Sequence, residues 1–179
     1  GLSNLHFRFG HISIIQYLSA ISNNFIFQFN GMVFPGAVIA SAIIINFYYQ
    51  IYLYIKNKKY NFHFFYLFFT SIFIIYKMNR YSEYGNDIPA HLLFFFLISE
   101  TIKISKFIEI REYVNLFILS VFILLNKITL GIACFIPLIH INKKNLINIF
   151  KTKKTYFGIS LLTLWILKNI LVSGCMVYP

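Results

Sequence analysis

The composition of this 179-residue chain excludes an ordinary soluble domain. Apolar residues make up 59% of it and charged residues 12%, against about 45–50% and about 25% in soluble domains. The 16 Lys and Arg outnumber the 5 Asp and Glu, but they lie in short loops between apolar runs, which argues against nucleic-acid binding and is typical of membrane topology signals. We therefore predict an all-α, integral membrane protein that contacts membrane lipids and no nucleic acid.

The first apolar segment, residues 13–29, is interrupted by five polar residues: Gln16, Ser19, Asn23, Asn24 and Gln28. This pattern favours a helix lying at the membrane interface. We expect a single transmembrane domain, with residues 1–33 on the outer face, about six spans over 34–172 and an outer tail over 173–179. Six apolar stretches, several shorter than the usual span of about 17–25 residues, define these spans: Phe34–Ile55, Phe62–Tyr76, Ile88–Ile102, Tyr113–Asn126, Ile128–Ile141 and Tyr156–Ile170.

Positive charge predicts the orientation, because cytoplasmic loops carry an excess of Lys and Arg. The loops on one side hold only Arg8, Lys77, Arg80, Lys127 and Lys168. Both ends of the chain are therefore expected on the outer side of the cytoplasmic (inner) membrane. The other, cytoplasmic loops hold Lys56, Lys58, Lys59, Lys103, Lys106, Arg111, Lys143, Lys144, Lys151, Lys153 and Lys154.

Residues 113–141 allow two interpretations. One long tilted helix would put Lys127 at the bilayer centre, which costs roughly 2.5–3.5 kcal/mol on insertion scales. It would also send the lysines from Lys143 to Lys154 to the outside. Two short spans meeting at Asn126 and Lys127 avoid both problems, so we predict a hairpin with Lys127 at the outer surface.

Under this topology, most of the polar residues on the outer side fall into four clusters. Acids, cations and imidazoles that converge at one end of a bundle form a plausible polar site. The clusters are Asn4, His6, Arg8 and His11; Arg80, Glu83 and Asp87; Lys127; and Lys168, Asn169, Ser173 and Tyr178.

Four segments also carry a family resemblance: GLSNLHFRFG (1–10), EYGNDIP (83–89), LNKIT (125–129, followed by Pro137), and WILKN with SGCMVYP (165–169 and 173–179). They resemble, in order, motifs of a group of bacterial polytopic membrane proteins related to GT-C-type glycosyltransferases. Three departures are Lys168 in place of an Arg, Cys175 in place of a Tyr, and Gly85-Asn86 in place of a small-residue pair. Lys168 carries the charge but lacks the bidentate fork of Arg.

The resemblance implies a GT-C-like fold and transfer of a sugar from a polyprenyl-phosphate donor on the outer face. It places the main catalytic acid in an outer loop before Gly1, so we expect this chain to be part of a longer protein and to lack that acid. A divalent metal is compatible with such chemistry, although the sequence shows no metal-ligand pattern. Cations stabilise a phosphate leaving group, a role open to Arg8, Arg80, Lys127 and Lys168, with Asn169 beside them. A carboxylate or imidazole accepts the proton of the acceptor hydroxyl, and the candidates are Asp87, Glu83, His6 and His91.

Structural roles compete with these assignments. Asp87 precedes Ile88-Pro89 and can cap a helix, and Lys127 can extend to the lipid headgroups. Glu100 is expected to pair with Lys103 three residues later. The histidines His63 and His140 are interpreted as ordinary interfacial residues, and the cysteines Cys134 and Cys175 as inert apolar side chains.

Two other functions remain open. A transporter or flippase of lipid-linked sugars would also gather cations, although no internal repeat is visible. A non-catalytic hydrophobic subunit of a membrane complex would explain the composition but not the placement of the polar motifs on one side.

Overall fold

The structure, a computed structural model, describes residues 13–22, 33–78, 87–104, 109–140 and 148–173. All the regular elements in these ranges are helices, which confirms the all-α class. They are α1 (Ile14–Ser22), α2 (Phe34–Lys56), α3 (Phe62–Met78), α4 (Asp87–Lys103), α5 (Ile110–Asn126), the 3₁₀ helix η1 (Ile128–His140) and α6 (Lys153–Ser173).

The turn between α2 and α3 is tight and closed by backbone hydrogen bonds. Lys58 has a left-handed backbone (φ 50°). Its N–H donates to the carbonyl of Ile55 at 3.1 Å, and the N–H of Lys59 donates to the carbonyl of Tyr54 at 3.0 Å. This pair of bonds is the Schellman motif that commonly ends helices, usually with Gly at the left-handed position. The turn reverses the chain and brings the start of α3 back against the end of α2.

Helix α4 lies at the centre of the bundle, packed against α2, α3, α5 and η1, while α5 also contacts α1 and α6. The main core joins these helices through large apolar side chains that are almost completely buried. They are Phe47, Leu67, Leu92, Leu97 and Ile123.

The chain reverses direction at Lys127, as the hairpin interpretation predicts. Lys127 is extended (φ −148°, ψ 108°) and ends α5. Farther along both arms, the Sγ atom of Cys134 lies 3.9 Å from the carbonyl oxygen of Ser120, so α5 and η1 run antiparallel.

The second arm of this hairpin is a 3₁₀ helix, which sequence reasoning did not predict. Gly131 and Pro137 both disfavour an α-helix, and the chain kinks at Leu130. The residues after the kink, 131–140, rise by about 2.0 Å each and span roughly 20 Å.

Helix α1 falls within the segment predicted to be interfacial. It packs against α2 and α5 and buries Ile15 and Ser19. The rest of that segment, residues 23–29, lies outside the described residues.

By length and composition, α2 is the one helix in the described ranges that is long and apolar enough to cross a membrane. Only 17% of the apolar 18-residue stretch of α2 is buried, whereas the core helix of a soluble protein is mostly buried. Residues 62–77 and 128–140 are apolar but shorter. A signal sequence near an N-terminus shares this length and composition.

Candidate functional site

The helix directions divide the bundle into two ends. At the end that we call the basic end, α2, α4 and η1 finish and α3, α5 and α6 begin; the opposite end, which includes the α5–η1 turn, is called the Lys127 end. Of the described cations, Lys77, Lys127 and Lys168 lie at or near the Lys127 end. The basic end carries Lys56, Lys58, Lys59, Lys103, Arg111, Lys151, Lys153 and Lys154.

Several residues of the predicted site lie outside the described ranges: Asn4, His6, Arg8, His11, Arg80, Glu83 and Tyr178. Asp87 is the first residue of α4, which begins at the Lys127 end, but its side chain also lies outside the description. Lys127, Lys168, Asn169 and His91 are therefore the predicted site residues whose surroundings the structure describes. His91 is partly buried near the start of α4, at the Lys127 end.

The backbone on both sides of Lys127 is held by hydrogen bonds. Its N–H donates to the carbonyl of Ile123 at 3.0 Å, and its own carbonyl accepts the N–H of Leu130 at 3.0 Å. These bonds join the last turn of α5 to the first turn of η1. They hold the partly buried lysine at the tip of the α5–η1 turn.

Asn126, next to Lys127, is a residue to which sequence reasoning assigned no role. It is buried, its Oδ1 atom accepts the N–H of Ile15 at 3.1 Å, and its amide nitrogen donates to the carbonyl of Phe122 at 2.7 Å. The N–H of Ile15 belongs to the first turn of α1, where backbone donors have no partner within the helix. Asn126 therefore ties the start of α1 to the end of α5.

Lys168 and Asn169 reach the Lys127 end because α6 runs parallel to α5. A Cβ atom added at Gly158 would lie 3.1 Å from Cε1 of Phe117, which shows how closely the two helices approach. Two turns later, Trp165 packs in one cluster with Val121 and Leu125. The same register carries Lys168 and Asn169 to the level of the α5–η1 turn.

The surroundings of these two residues differ. Asn169 is buried. Lys168 is partly buried and lines a cavity of about 220 Å³ together with apolar side chains of α1, α5 and α6. One cation of the predicted site thus borders an apolar cavity, which is the surrounding expected for an amphipathic ligand with an anionic group.

At the basic end, His63 corrects the sequence-based interpretation. It is only 3% exposed, not an ordinary interfacial residue. Its Nδ1 atom lies 2.9 Å from the hydroxyl of Tyr54 and its Nε2 atom 2.8 Å from Oγ of Ser99. A neutral imidazole has one donor and one acceptor nitrogen, and hydroxyl groups can serve either. His63 therefore joins α2, α3 and α4 through a satisfied polar network.

His140 also contacts a neighbouring helix at this end, with its Nε2 atom 3.2 Å from the carbonyl oxygen of Thr101. The predicted pair of Glu100 and Lys103 is confirmed at 2.7 Å. Both members of that pair line a cavity of about 640 Å³ between α4 and α5, together with Glu109 and Glu112. Within the described ranges, no three His, Cys, Asp or Glu side chains converge in a way that would hold a metal ion.

The fold thus defines a class: a bundle of apolar helices in which, among the described residues, three cationic side chains, Lys77, Lys127 and Lys168, lie near one end and the other cations lie at the opposite end. The chain belongs to the family described as a domain of unknown function, DUF8201, which matches residues 1–179. No curated protein and no solved structure matches the chain.

Proposed function

We propose that this chain is part of a polytopic, GT-C-like glycosyltransferase that uses a polyprenyl-phosphate-linked sugar donor at its Lys127 end. The observation that carries the proposal is the placement of Lys127 and Lys168, 41 positions apart in the sequence, at one level of the bundle, with Lys168 bordering an apolar cavity. A lipid phosphate presents an anionic group attached to an apolar chain. A cation that borders an apolar cavity suits both parts of such a molecule.

The proposal includes six membrane spans, formed by α2 to α5, η1 and α6. The apolar side chains that α3 exposes support it: Phe69 is 64% exposed and Tyr76 is 77% exposed, and Phe65, Ile72 and Ile75 are exposed on the same helix. In water this surface would be unfavourable by about 25 cal/mol per Å², and monomeric soluble proteins rarely carry large apolar patches. Contact with lipid removes that penalty.

Helix length is also compatible with this topology. Helices α3, α4 and α5 each have 17 residues and span about 25 Å, somewhat less than the roughly 30 Å of a bilayer core. Local thinning of the bilayer accommodates such a difference at modest cost. With the basic end in the cytoplasm, the Lys127 end and both ends of the chain face the periplasm or exterior of the inner membrane.

The chemistry follows from charge development in the transition state. When the sugar leaves the donor, negative charge grows on the phosphate, and ammonium groups held nearby stabilise it more strongly than they would in water. Lys127 and Lys168 supply this charge, and Arg8, Arg80 and Asn169 are the further donor-binding residues of the proposal. Asp87, Glu83 or His6 takes the proton of the acceptor hydroxyl, unless a residue upstream of this chain does so.

The test uses the whole gene product, so that any residues beyond this chain are retained, reconstituted in liposomes with a polyprenyl-phosphate sugar. Lys127→Gln should lower donor turnover by about 100-fold, the size of effect seen when one charge-stabilising group is removed. Lys127→Arg should keep part of the activity, because the charge survives while its shape changes.

The matched control is Lys77→Gln, which removes a lysine at the end of α3 on the same side of the bundle. It should leave turnover unchanged at equal protein levels. Turnover as fast with Gln at position 127 as with Lys would reduce Lys127 to an interfacial anchor. Movement of the lipid between leaflets without sugar transfer would support the transporter instead.

The topology is tested separately by cysteine labelling in a background in which Cys134 and Cys175 are replaced by Ala. A membrane-impermeant maleimide applied to intact cells should label Tyr84→Cys and not Lys144→Cys. Labelling at position 144 with none at position 84 would invert the orientation.

A further inference from the structure

We infer that the isoprenoid chain of a polyprenyl phosphate lies in a groove between α5 and α6, walled by α1, with its phosphate at Lys168. The inference rests on the proposed function and adds where the lipid chain binds. Two cavities define this α5–α6 groove. One, of about 400 Å³, is lined by Leu18, Ile118, Phe122 and Phe157 among others. The other, of about 220 Å³, is lined by Tyr17, Leu125, Trp165 and Lys168 among others.

The two cavities adjoin each other and follow one another along α6, because Ile14 and Leu161 belong to the walls of both. Between Phe157 and Lys168 the groove follows α6 for eleven residues, or roughly 16 Å at about 1.5 Å per residue. This is about half the thickness of the bilayer core. The groove therefore has room for the first few isoprene units, with the remainder of the chain in the bilayer.

The lining of the groove changes along its length in the way that this ligand requires. The larger cavity has apolar side chains on all sides except at Asn115. The smaller cavity ends at Lys168, the one charged side chain that lines either cavity. An apolar channel that ends at a cation is complementary to an apolar chain that ends in a phosphate.

The wall formed by α1 is held in place by a specific bond. The N–H of Ile15 donates to Asn126 at 3.1 Å, and the neighbouring residue Ile14 borders both cavities. The polar side chain next to Lys127 thus positions the apolar residue that closes the groove. The α5–η1 turn and the α5–α6 groove are therefore connected through the start of α1.

The shape of the groove favours a lipid with one chain. Two adjoining cavities with shared walls at Ile14 and Leu161 follow one another along α6 and so offer one row of apolar space, which matches a single chain. A bilayer phospholipid carries two chains side by side below its phosphate. We therefore assign the groove to the polyprenyl phosphate and not to a phospholipid.

The experiment measures binding of radiolabelled polyprenyl phosphate to the whole gene product in nanodiscs. Leu161→Trp fills space in both cavities, since Leu161 lines each of them. It should weaken binding by about tenfold or more, the factor expected from excluding roughly two buried methylene groups. Leu171→Trp, on the same helix and at a position that is 86% exposed, should bind as the native protein does. Lys168→Gln should weaken binding of the phosphate but not of the corresponding polyprenol.

A second measurement needs no variant. A polyprenyl phosphate with a photoreactive group in its first isoprene units should crosslink to the peptides that contain Ile118 and Phe157. Crosslinks confined to the outer surface of α3, or competition by an equal concentration of phosphatidylglycerol, would overturn the assignment. So would native binding by a folded Leu161→Trp protein.

The outcomes for the groove and for the enzyme are distinguishable. Binding that depends on Leu161 without any sugar transfer by the native protein keeps the groove and rejects the transferase. Sugar transfer that Leu161→Trp leaves at the native rate and native donor affinity keeps the transferase and rejects the groove.

Discussion

The network of Tyr54, His63 and Ser99 predicts a measurable loss of stability on removal of a single hydroxyl group. Tyr54→Phe deletes the partner of His63 Nδ1 at 2.9 Å and leaves a nitrogen of a buried imidazole without that bond. An unsatisfied buried polar group costs about 1–3 kcal/mol in soluble proteins. Interhelical bonds in a membrane protein average about 0.6 kcal/mol and reach about 1.7. We therefore expect about 1 kcal/mol for Tyr54→Phe.

His63→Ala should have a larger effect, because it removes two hydrogen bonds and leaves the fully buried Ser99 without its imidazole partner. It also abolishes the edge-to-face contact with Tyr54, in which the two ring centroids lie 5.6 Å apart. Adding these losses gives roughly 2–4 kcal/mol.

Free energies of unfolding, measured by titration with sodium dodecyl sulfate in mixed micelles, test both values. Tyr52→Phe is the matched control: it makes the same change on the same helix at a ring that is 57% exposed, and its effect should be near zero. A double-mutant cycle between Tyr54→Phe and His63→Ala isolates the bond between them. Equal effects of the two Tyr→Phe changes, or a coupling energy within about 0.3 kcal/mol of zero, would refute the reasoning.

Two further predictions concern the left-handed backbone at Lys58 and the hydrogen bond that holds the start of α1. Lys58→Gly should stabilise the protein by about 1 kcal/mol, because a left-handed backbone costs a residue with a Cβ atom roughly 1–2 kcal/mol. The greater flexibility of Gly in the unfolded chain offsets part of that gain. The control Lys59→Gly, at the next residue, should give no gain in stability in the same unfolding titration. Asn126→Ala should speed amide hydrogen exchange in residues 13–22 and destabilise the protein by about 1–3 kcal/mol, because the N–H of Ile15 loses its buried acceptor. The control Asn115→Ala, at an exposed position of α5, should leave that exchange unchanged. Unchanged exchange in Asn126→Ala would show that other contacts hold α1.

Features that depend on short stretches of sequence were predicted successfully. The all-α class follows from long apolar runs, and the chain reversal at Lys127 follows from a charge between two such runs. The Glu100–Lys103 pair follows from the spacing of three residues within one helix. In each case the information lies in neighbouring residues, so no knowledge of helix packing was needed.

Which helices touch, and through which residues, was decided by the tertiary structure. The bond between Asn126 and Ile15 joins residues 111 positions apart, and the network around His63 joins three helices. A helix that is apolar on nearly all faces carries no amphipathic stripe to show which side points inward. Its rotation and register are set by packing against its neighbours, so the buried histidine could not be distinguished from an interfacial one.

The candidate site likewise combines features that short stretches of sequence predict with features that depend on helix packing. The sequence alone, through charge asymmetry and the order of its apolar segments, predicted that Lys127 and Lys168 lie on one side of the protein. Only the tertiary structure decided that α5 and α6 run parallel in close contact, that α1 closes the space beside them, and that Lys168 borders an apolar cavity there. A cavity is formed by the side chains of several helices at once, and no single segment of sequence contains it.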